Sequence, residues 1–349
     1  MTDYEVSYTA KDLILYALSL GMGSQKDDTD DLKFLYEEHE KFTAVPTFCF
    51  AFTFWAKKQR RYSSMGTTTQ QIPKFPPPIM VEAEIIPRKF LRNNTDISTN
   101  PVIHTWQSIV WHRSIEIPKQ QSNHPVKSIL NQSTISIQPK SIGTFVTSET
   151  KIASHDSGRL SCTIQSTALV LSVDPANVVA FDAGIPRLTC ISKRVKQATT
   201  KPPLFQWVYQ TSQSQALLYR LTSGDSNHIH VDTSASEMLG AEKKAPLLHG
   251  LFTLALAFRA ITKLFDGNQD LFFRKLEGAF KSPAFVGDNL CVKVWNDEST
   301  TAKQSGNESL KRFLFVIVNN ETGAKVVDKG HAEVEIVSKL QSTKTRSRL

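Results

Sequence analysis

Long apolar runs, closely spaced cysteines and dense basic clusters are all scarce in this chain, and each scarcity removes a class of protein. No apolar stretch approaches the roughly 18 residues that a membrane-spanning helix needs. The four cysteines, Cys49, Cys162, Cys190 and Cys291, lie far apart. No pair has metal-ligand or redox spacing, so they read as small buried hydrophobes of a reducing compartment, not as a disulfide framework. The first residues, Met-Thr-Asp-Tyr-Glu-Val, lack the basic region and apolar core of a secretory signal. No five lysines or arginines are consecutive, and the densest cluster is Lys57, Lys58, Arg60 and Arg61. That argues against a nucleic-acid partner. The formal charge of +8 still makes the surface basic, which leaves an anionic membrane surface or a phosphorylated small molecule open.

With 349 residues, 40% of them apolar, the chain is long enough for one large or two ordinary domains. Leu13, Ile14, Ala17, Leu18 and Leu20 recur at helical spacing between a capping Thr9 and Gly21, which predicts a helix there. A shorter helical piece covers 33–38. The segment from Val45 to Ala56 is apolar on nearly every side, so its helix is buried all round, with Pro46 in the first turn. Residues 62–100 read as loop. Alternating patterns at 103–111, 115–117, 134–138, 144–152 and 161–172 read as strands, with a hairpin turn at His155–Gly158. A proline-containing connection follows. Then come a helical piece at 212–221, a second buried helix from Leu251 to Phe265, and strands at 275–279, 289–295, 311–319 and 326–337.

The same order therefore occurs twice: a helical piece, a buried helix opened by a proline-containing turn, then several strands. Ala44-Val45-Pro46-Thr47-Phe48 and Ala245-Pro246-Leu247-Leu248-His249-Gly250 hold corresponding places. A buried helix wrapped by an antiparallel sheet is the hot-dog arrangement, and two in tandem predict an α+β double hot dog. The expected division is an amino-terminal half over 1–185, a connection over 186–210, a second half over 211–340 and a tail over 341–349.

The chemistry concentrates between Tyr219 and Phe258. Asp225-Ser226-Asn227-His228-Ile229-His230 follows Ser223-Gly224, and His249-Gly250 opens the second buried helix. Asp225 and His230 could hold one water between carboxylate and imidazole, the pair that addition of water across an activated double bond requires. Gly250 would offer an unpaired helix-terminal N–H to the charge that develops on a thioester oxygen. His228, His230 and Asp232 would chelate a metal only if the segment were extended, and no fourth ligand lies nearby; no metal site is expected. The first half has Tyr36-Glu37-Glu38-His39 where the second has this loop, so the second half is expected to react and the first to accommodate the acyl tail.

These residues resemble the (R)-specific 2-enoyl-CoA hydratase family, the hydratase 2 or MaoC-like group, in the two-half form found in peroxisomal multifunctional enzymes. The likeness is carried by Tyr8 to Phe48 and by Ala216 to Trp295. It implies that Asp225 and His230 are the acid/base pair, that Asn227 orients substrate or water, and that Gly250 is the oxyanion-hole donor. It also implies acyl-CoA contacts at His104, His249 and Phe280. The chain departs from the family at His228 and Thr233, where relatives carry proline, and at Leu221-Thr222-Ser223-Gly224, one residue longer than usual.

The expected activity is reversible hydration of trans-2-enoyl-CoA to (3R)-3-hydroxyacyl-CoA in peroxisomal fatty-acid metabolism, without a cofactor beyond the substrate's own CoA. A hot-dog thioesterase and a non-catalytic acyl-CoA-binding protein are the alternatives. Ser347-Arg348-Leu349 is the basic variant of a peroxisomal address and implies an import receptor as partner. A homodimer is expected.

Overall fold

The computed structural model describes residues 2–24, 29–64, 85–98, 100–118, 124–186, 195–196, 198–233, 243–265, 269–298 and 309–337. The expected address at Ser347-Arg348-Leu349, Cys190 and the proline-rich part of the loop at 73–78 lie outside the described residues. The first half holds β1 (Thr2–Tyr8), α1 (Ala10–Ser19), α2 (Leu32–Leu35), α3 (Cys49–Ser64), β2 (Val102–Trp111), β3 (Val126–Lys140), β4 (Gly143–Ser154), β5 (Leu160–Leu171) and the short β6 (Phe181–Asp182). The second holds β7 (Phe205–Gln210), α4 (Gln215–Ser223), α5 (Gly250–Leu264), β8 (Asp270–Phe280), β9 (Asn289–Asn296), β10 (Leu310–Asn319) and β11 (Lys325–Val337).

All strand ladders are antiparallel. The strand order is β1-β3-β4-β5-β2-β8-β11-β10-β9-β7, with β6 beside β3. Read outward from the middle, the two halves are the same: β2-β5-β4-β3-β1 on one side, β8-β11-β10-β9-β7 on the other. Two separate sheets were expected. Instead they join edge to edge through β2 and β8, with Trp106 opposite Ala279 and Val110 opposite Lys275. Each half-sheet thereby loses one open edge, where unpaired N–H and C=O groups would otherwise face solvent.

Each half wraps its long helix. In α5 every residue from Leu251 to Ile261 is buried, as expected of a helix apolar round most of its circumference. In α3 the buried residues include Cys49, Phe50, Ala51, Phe52 and Ala56. A 3₁₀ turn, Pro46–Phe48, leads into it. Both helices belong to one continuous apolar core.

Several details differ from expectation. β1 and β7 are additional strands, and β7 falls within the span expected as a connection; it pairs with β9 from Phe205 opposite Val294 to Gln210 opposite Asn289. Residues 115–117 form no strand. The first-half counterpart of the 224–230 loop is not Tyr36–His39 but the stretch after α1. There Gly21 has φ +78, matching φ +77 at Gly224 after α4. Tyr16 and Tyr219 each stand five residues ahead of these glycines.

α1 and α4 meet side by side. The Tyr16 and Tyr219 rings lie 5.8 Å apart, and Thr222 Oγ1 donates to Ser19 Oγ at 3.0 Å. A second tie crosses the halves from α5. Arg259 is 2% exposed. Its guanidinium donates to Leu20 O at 3.0 Å, lies 3.3 Å from Asp31 and sits 4.9 Å from the centre of the Trp207 ring. No helix among the described residues is long and apolar enough to cross a membrane.

Candidate active site

The site begins where α4 ends. A left-handed residue is needed to turn the chain off a helix, and glycine takes that conformation without strain; Gly224 supplies it, its N–H reaching Arg220 O at 3.0 Å. Next comes an Asx turn. Asp225 Oδ1 accepts from the Asn227 N–H at 3.0 Å, so one carboxylate oxygen shapes the loop. Asn227 in turn caps the 3₁₀ turn His228–His230. Its Oδ1 accepts from the Ile229 N–H, so its NH₂ end is the part left to meet a substrate or water.

Two bonds stitch this loop to the segment that enters α5. Leu247 N–H donates to Ile229 O at 3.0 Å, and Leu247 O lies 2.8 Å from His230 Nδ1. A carbonyl only accepts, so Nδ1 carries the proton. In the neutral ring, Nε2 is then the bare lone pair. It faces Asp225 Oδ2 at 3.8 Å, too far for a direct hydrogen bond and suited to one water held by both. His230 is 7% exposed. Burial lowers its pKa; Asp225 and the Leu247 carbonyl oppose that shift without reversing it, and His228 adds to it. The imidazole is therefore neutral and basic at Nε2 near pH 7.

His249 closes the other side. Its ring stacks on His230 at 3.6 Å between centroids, with 21° between planes, and tilts against Tyr219 at 4.9 Å. Both of its ring nitrogens are buried without a hydrogen-bond partner. Burial, then His230 and Arg220, hold its pKa well below the usual histidine range. His249 is also the residue before Gly250, the first residue of α5, whose N–H has no acceptor within the helix. Phe280 lies over Gly250; a Cβ there would come within 3.1 Å of the Phe280 ring. The His104 ring packs on Phe280 at 4.8 Å, and His104 Nε2 lies 3.1 Å from Trp106 O.

The expected residues are thus linked by successive contacts. His104, Phe280, Gly250, His249, His230 and Asp225 succeed one another by contact, and Asn227 shapes the loop beside Asp225. His104 arrives from the first half because β2 pairs with β8. Residues that sequence reading missed include Leu247, which acts through its backbone carbonyl and leaves no mark in side-chain type. Trp55, one of the α3 aromatics, borders the same turn: a Cβ on Gly224 would lie 2.7 Å from its ring.

Asp225, His230 and His249 each offer an atom within 4.8 Å of the others, enough ligands for a catalytic metal site. The stacking works against chelation. A metal lies near the plane of each imidazole it binds, and two stacked planes with so small a tilt meet only well beyond the reach of a metal–nitrogen bond. His228, 5% exposed, has a buried Nδ1 without a hydrogen-bond partner. His228 and His230 lie in a 3₁₀ turn, not an extended segment, so the alternating His228-His230-Asp232 chelate is not formed.

Comparison with known proteins finds two domain-family models that each match part of this chain. The MFE-2 hydratase 2 N-terminal domain matches residues 6–84, and the MaoC like domain matches residues 194–312. Among relatives, the peroxisomal multifunctional enzyme type 2 of Drosophila melanogaster is 27% identical over 94% of this chain, which spans 46% of that enzyme's length. The peroxisomal enoyl-CoA hydratase 2 of Arabidopsis thaliana is 25% identical, with 83% of this chain and 82% of the relative covered. A crystal structure of a MaoC-like dehydratase from Phytophthora capsici superposes with a TM-score of 0.65 at 24% identity, covering 97% of this chain and 96% of its own; this likeness concerns the fold.

Proposed function

Because the chain joins an MFE-2 hydratase 2 N-terminal domain to a MaoC-like domain, we propose that it is an enoyl-CoA hydratase, adding water reversibly to trans-2-enoyl-CoA to give (3R)-3-hydroxyacyl-CoA. The observation that carries the reading is the 3.8 Å gap between His230 Nε2 and Asp225 Oδ2, with His230 Nδ1 tied back to Leu247 O.

A water bridging that gap is bound by both groups. As its oxygen bonds to C3 of the substrate, one O–H breaks and the proton goes to Nε2. The C2=C3 electrons move toward the thioester oxygen, where the Gly250 N–H and the amino terminus of α5 stabilise the enolate. Asp225 offsets the positive charge that forms on the buried imidazole. The pair then returns a proton to C2, which restores the thioester and leaves His230 neutral. Both hydrogen and hydroxyl arrive from the Asp225–His230 side, so the addition is syn. The thioester itself acidifies C2, so we include no metal and no redox cofactor. The (3R) configuration rests on the family likeness.

Loss of enoyl-CoA absorbance in the ultraviolet measures the reaction directly. Asp225→Asn and His230→Gln are each expected to lower kcat by several orders of magnitude, while circular dichroism stays unchanged. Near-wild-type turnover in either variant sinks the mechanism. Thioesterase activity would instead release free CoA, which a thiol reagent detects. Relatives named as peroxisomal support residence in that organelle, read by an import receptor at Ser347-Arg348-Leu349. An amino-terminal fluorescent fusion should lose its punctate pattern when those three residues are removed. A homodimer is expected, and sedimentation tests it.

A further inference from the structure

The line of contacts through the site continues past the reacting groups, and its far end has a definite chemistry. Seat the thioester oxygen on the Gly250 N–H and C3 against the water held between His230 and Asp225. With the sulphur toward Phe280 and His104, C4 and beyond are placed at the other end of this chain of contacts, past Asp225 and toward Gly224. Gly224 is met by the first half's Trp55, whose Cδ1 and Nε1 would stand 2.7 and 3.0 Å from a Cβ placed there. Resting on the reading above, we propose that Trp55 is the residue that sets the acyl-chain length limit, by closing the tail end of the site.

Two observations support a wall over an open passage. Trp55 is backed by packed rings: Phe48 at 5.5 Å edge-on and Phe52 at 5.8 Å, with Tyr8 stacked on Phe52 at 5.2 Å. Behind Phe52, a cavity bordered by Tyr8, Cys49 and Ile152 measures only about 10 Å³, room for one water at most and none for a hydrocarbon chain. Trp55 itself is only partly buried at the margin of this core, so its ring borders both the loop and the packed interior. Removing the indole opens space beside Gly224 and joins it to the first half's apolar interior, the direction in which a longer tail would gain contact.

The test measures binding and turnover separately in the full chain. Dissociation constants for butanoyl-CoA and dodecanoyl-CoA, saturated and therefore unreactive, are determined by calorimetry for the wild type, Trp55→Ala and Trp55→Phe. The preference for dodecanoyl over butanoyl is expected to rise about tenfold or more in Trp55→Ala, the discrimination that a few methylenes in an apolar pocket provide, and by a smaller factor in Trp55→Phe. A preference changed by less than about twofold in folded Trp55→Ala overturns the proposal. If Trp55→Ala does not fold, the Trp55→Phe ratio decides in the same way. Enoyl-CoA hydration by the wild type is assayed alongside. Hydration with an unmoved ratio removes Trp55 and leaves the hydratase reading. A moved ratio without hydration does the reverse. If dodecanoyl-CoA binds neither Trp55 variant better than the wild type, Trp55 is removed, and absence of hydration by the wild type removes the hydratase reading.

Discussion

His230 and His249 are two stacked imidazoles held neutral by burial, and their pH behaviour follows from that. In the folded state both have lowered pKa values, while in the unfolded chain each titrates near 6.5. As pH falls below that value the unfolded state takes up protons that the folded state refuses, so stability is present above about pH 6.5 and declines below it. A urea-denaturation series should show this acid-side loss, and His249→Phe, which keeps a stacked ring without a titrating nitrogen, should flatten it. His228 makes a different prediction. It opens the 3₁₀ turn, where proline is favoured, and Asn227 before it has φ −63 and ψ 122, a conformation that tolerates a following proline. Its Nδ1 is buried without a hydrogen-bond partner. His228→Pro is therefore expected to raise stability by about 0.4–1 kcal/mol, read as a higher urea midpoint with an unchanged slope.

Among the elements, the turn after α4 carries the greatest constraint, because Gly224 is both left-handed and pressed against Trp55. Gly158 isolates one part of that. It has φ +65 with no atom within 4 Å of a Cβ placed there, so Gly158→Ala should cost only the backbone penalty, about 1–2 kcal/mol. Gly224→Ala should cost more, and it should also depress hydration because it displaces Asp225; equal urea midpoints for the two variants would contradict this. Much of the element plan was legible beforehand. Thr9 and Gly21 bracket α1, Pro46 opens the approach to α3, and the apolar circumference of α5 marks it as buried. β1 and β7 were legible but overlooked. Val6 with Tyr8, and Trp207 with Tyr209, point inward with exposed Ser7 and exposed Val208 between them, a period of two within short segments. The site was legible as a list, since Asp225, Asn227, His230 and Gly250 lie close in sequence. Its spatial order was not. The meetings of His104 with Phe280 and of Trp55 with Gly224 depend on how β2 meets β8 and how α3 lies under the α4 turn, which local pattern does not encode.

At the scale of the whole molecule, the halves are bound by shared sheet, shared core and one buried cation. Arg259→Met removes the guanidinium that joins α5 to Leu20 O and Asp31. Breaking such a pair from one side costs roughly 3–5 kcal/mol, and Arg259→Met with Asp31→Asn should recover part of it, measurable by urea midpoint in a double-mutant cycle. The contact between Ser19 and Thr222 has a meaning of another kind. In an assembly of two identical units, a side chain on the symmetry axis touches its own copy. Ser19 and Thr222 occupy such a place, one hydroxyl group facing another from equivalent helices, yet they are no longer the same residue. Joining both copies in one polypeptide guarantees that the partners meet at any concentration and lets each drift alone. The first half could thus trade its reacting groups for aromatic packing while still completing the other half's sheet.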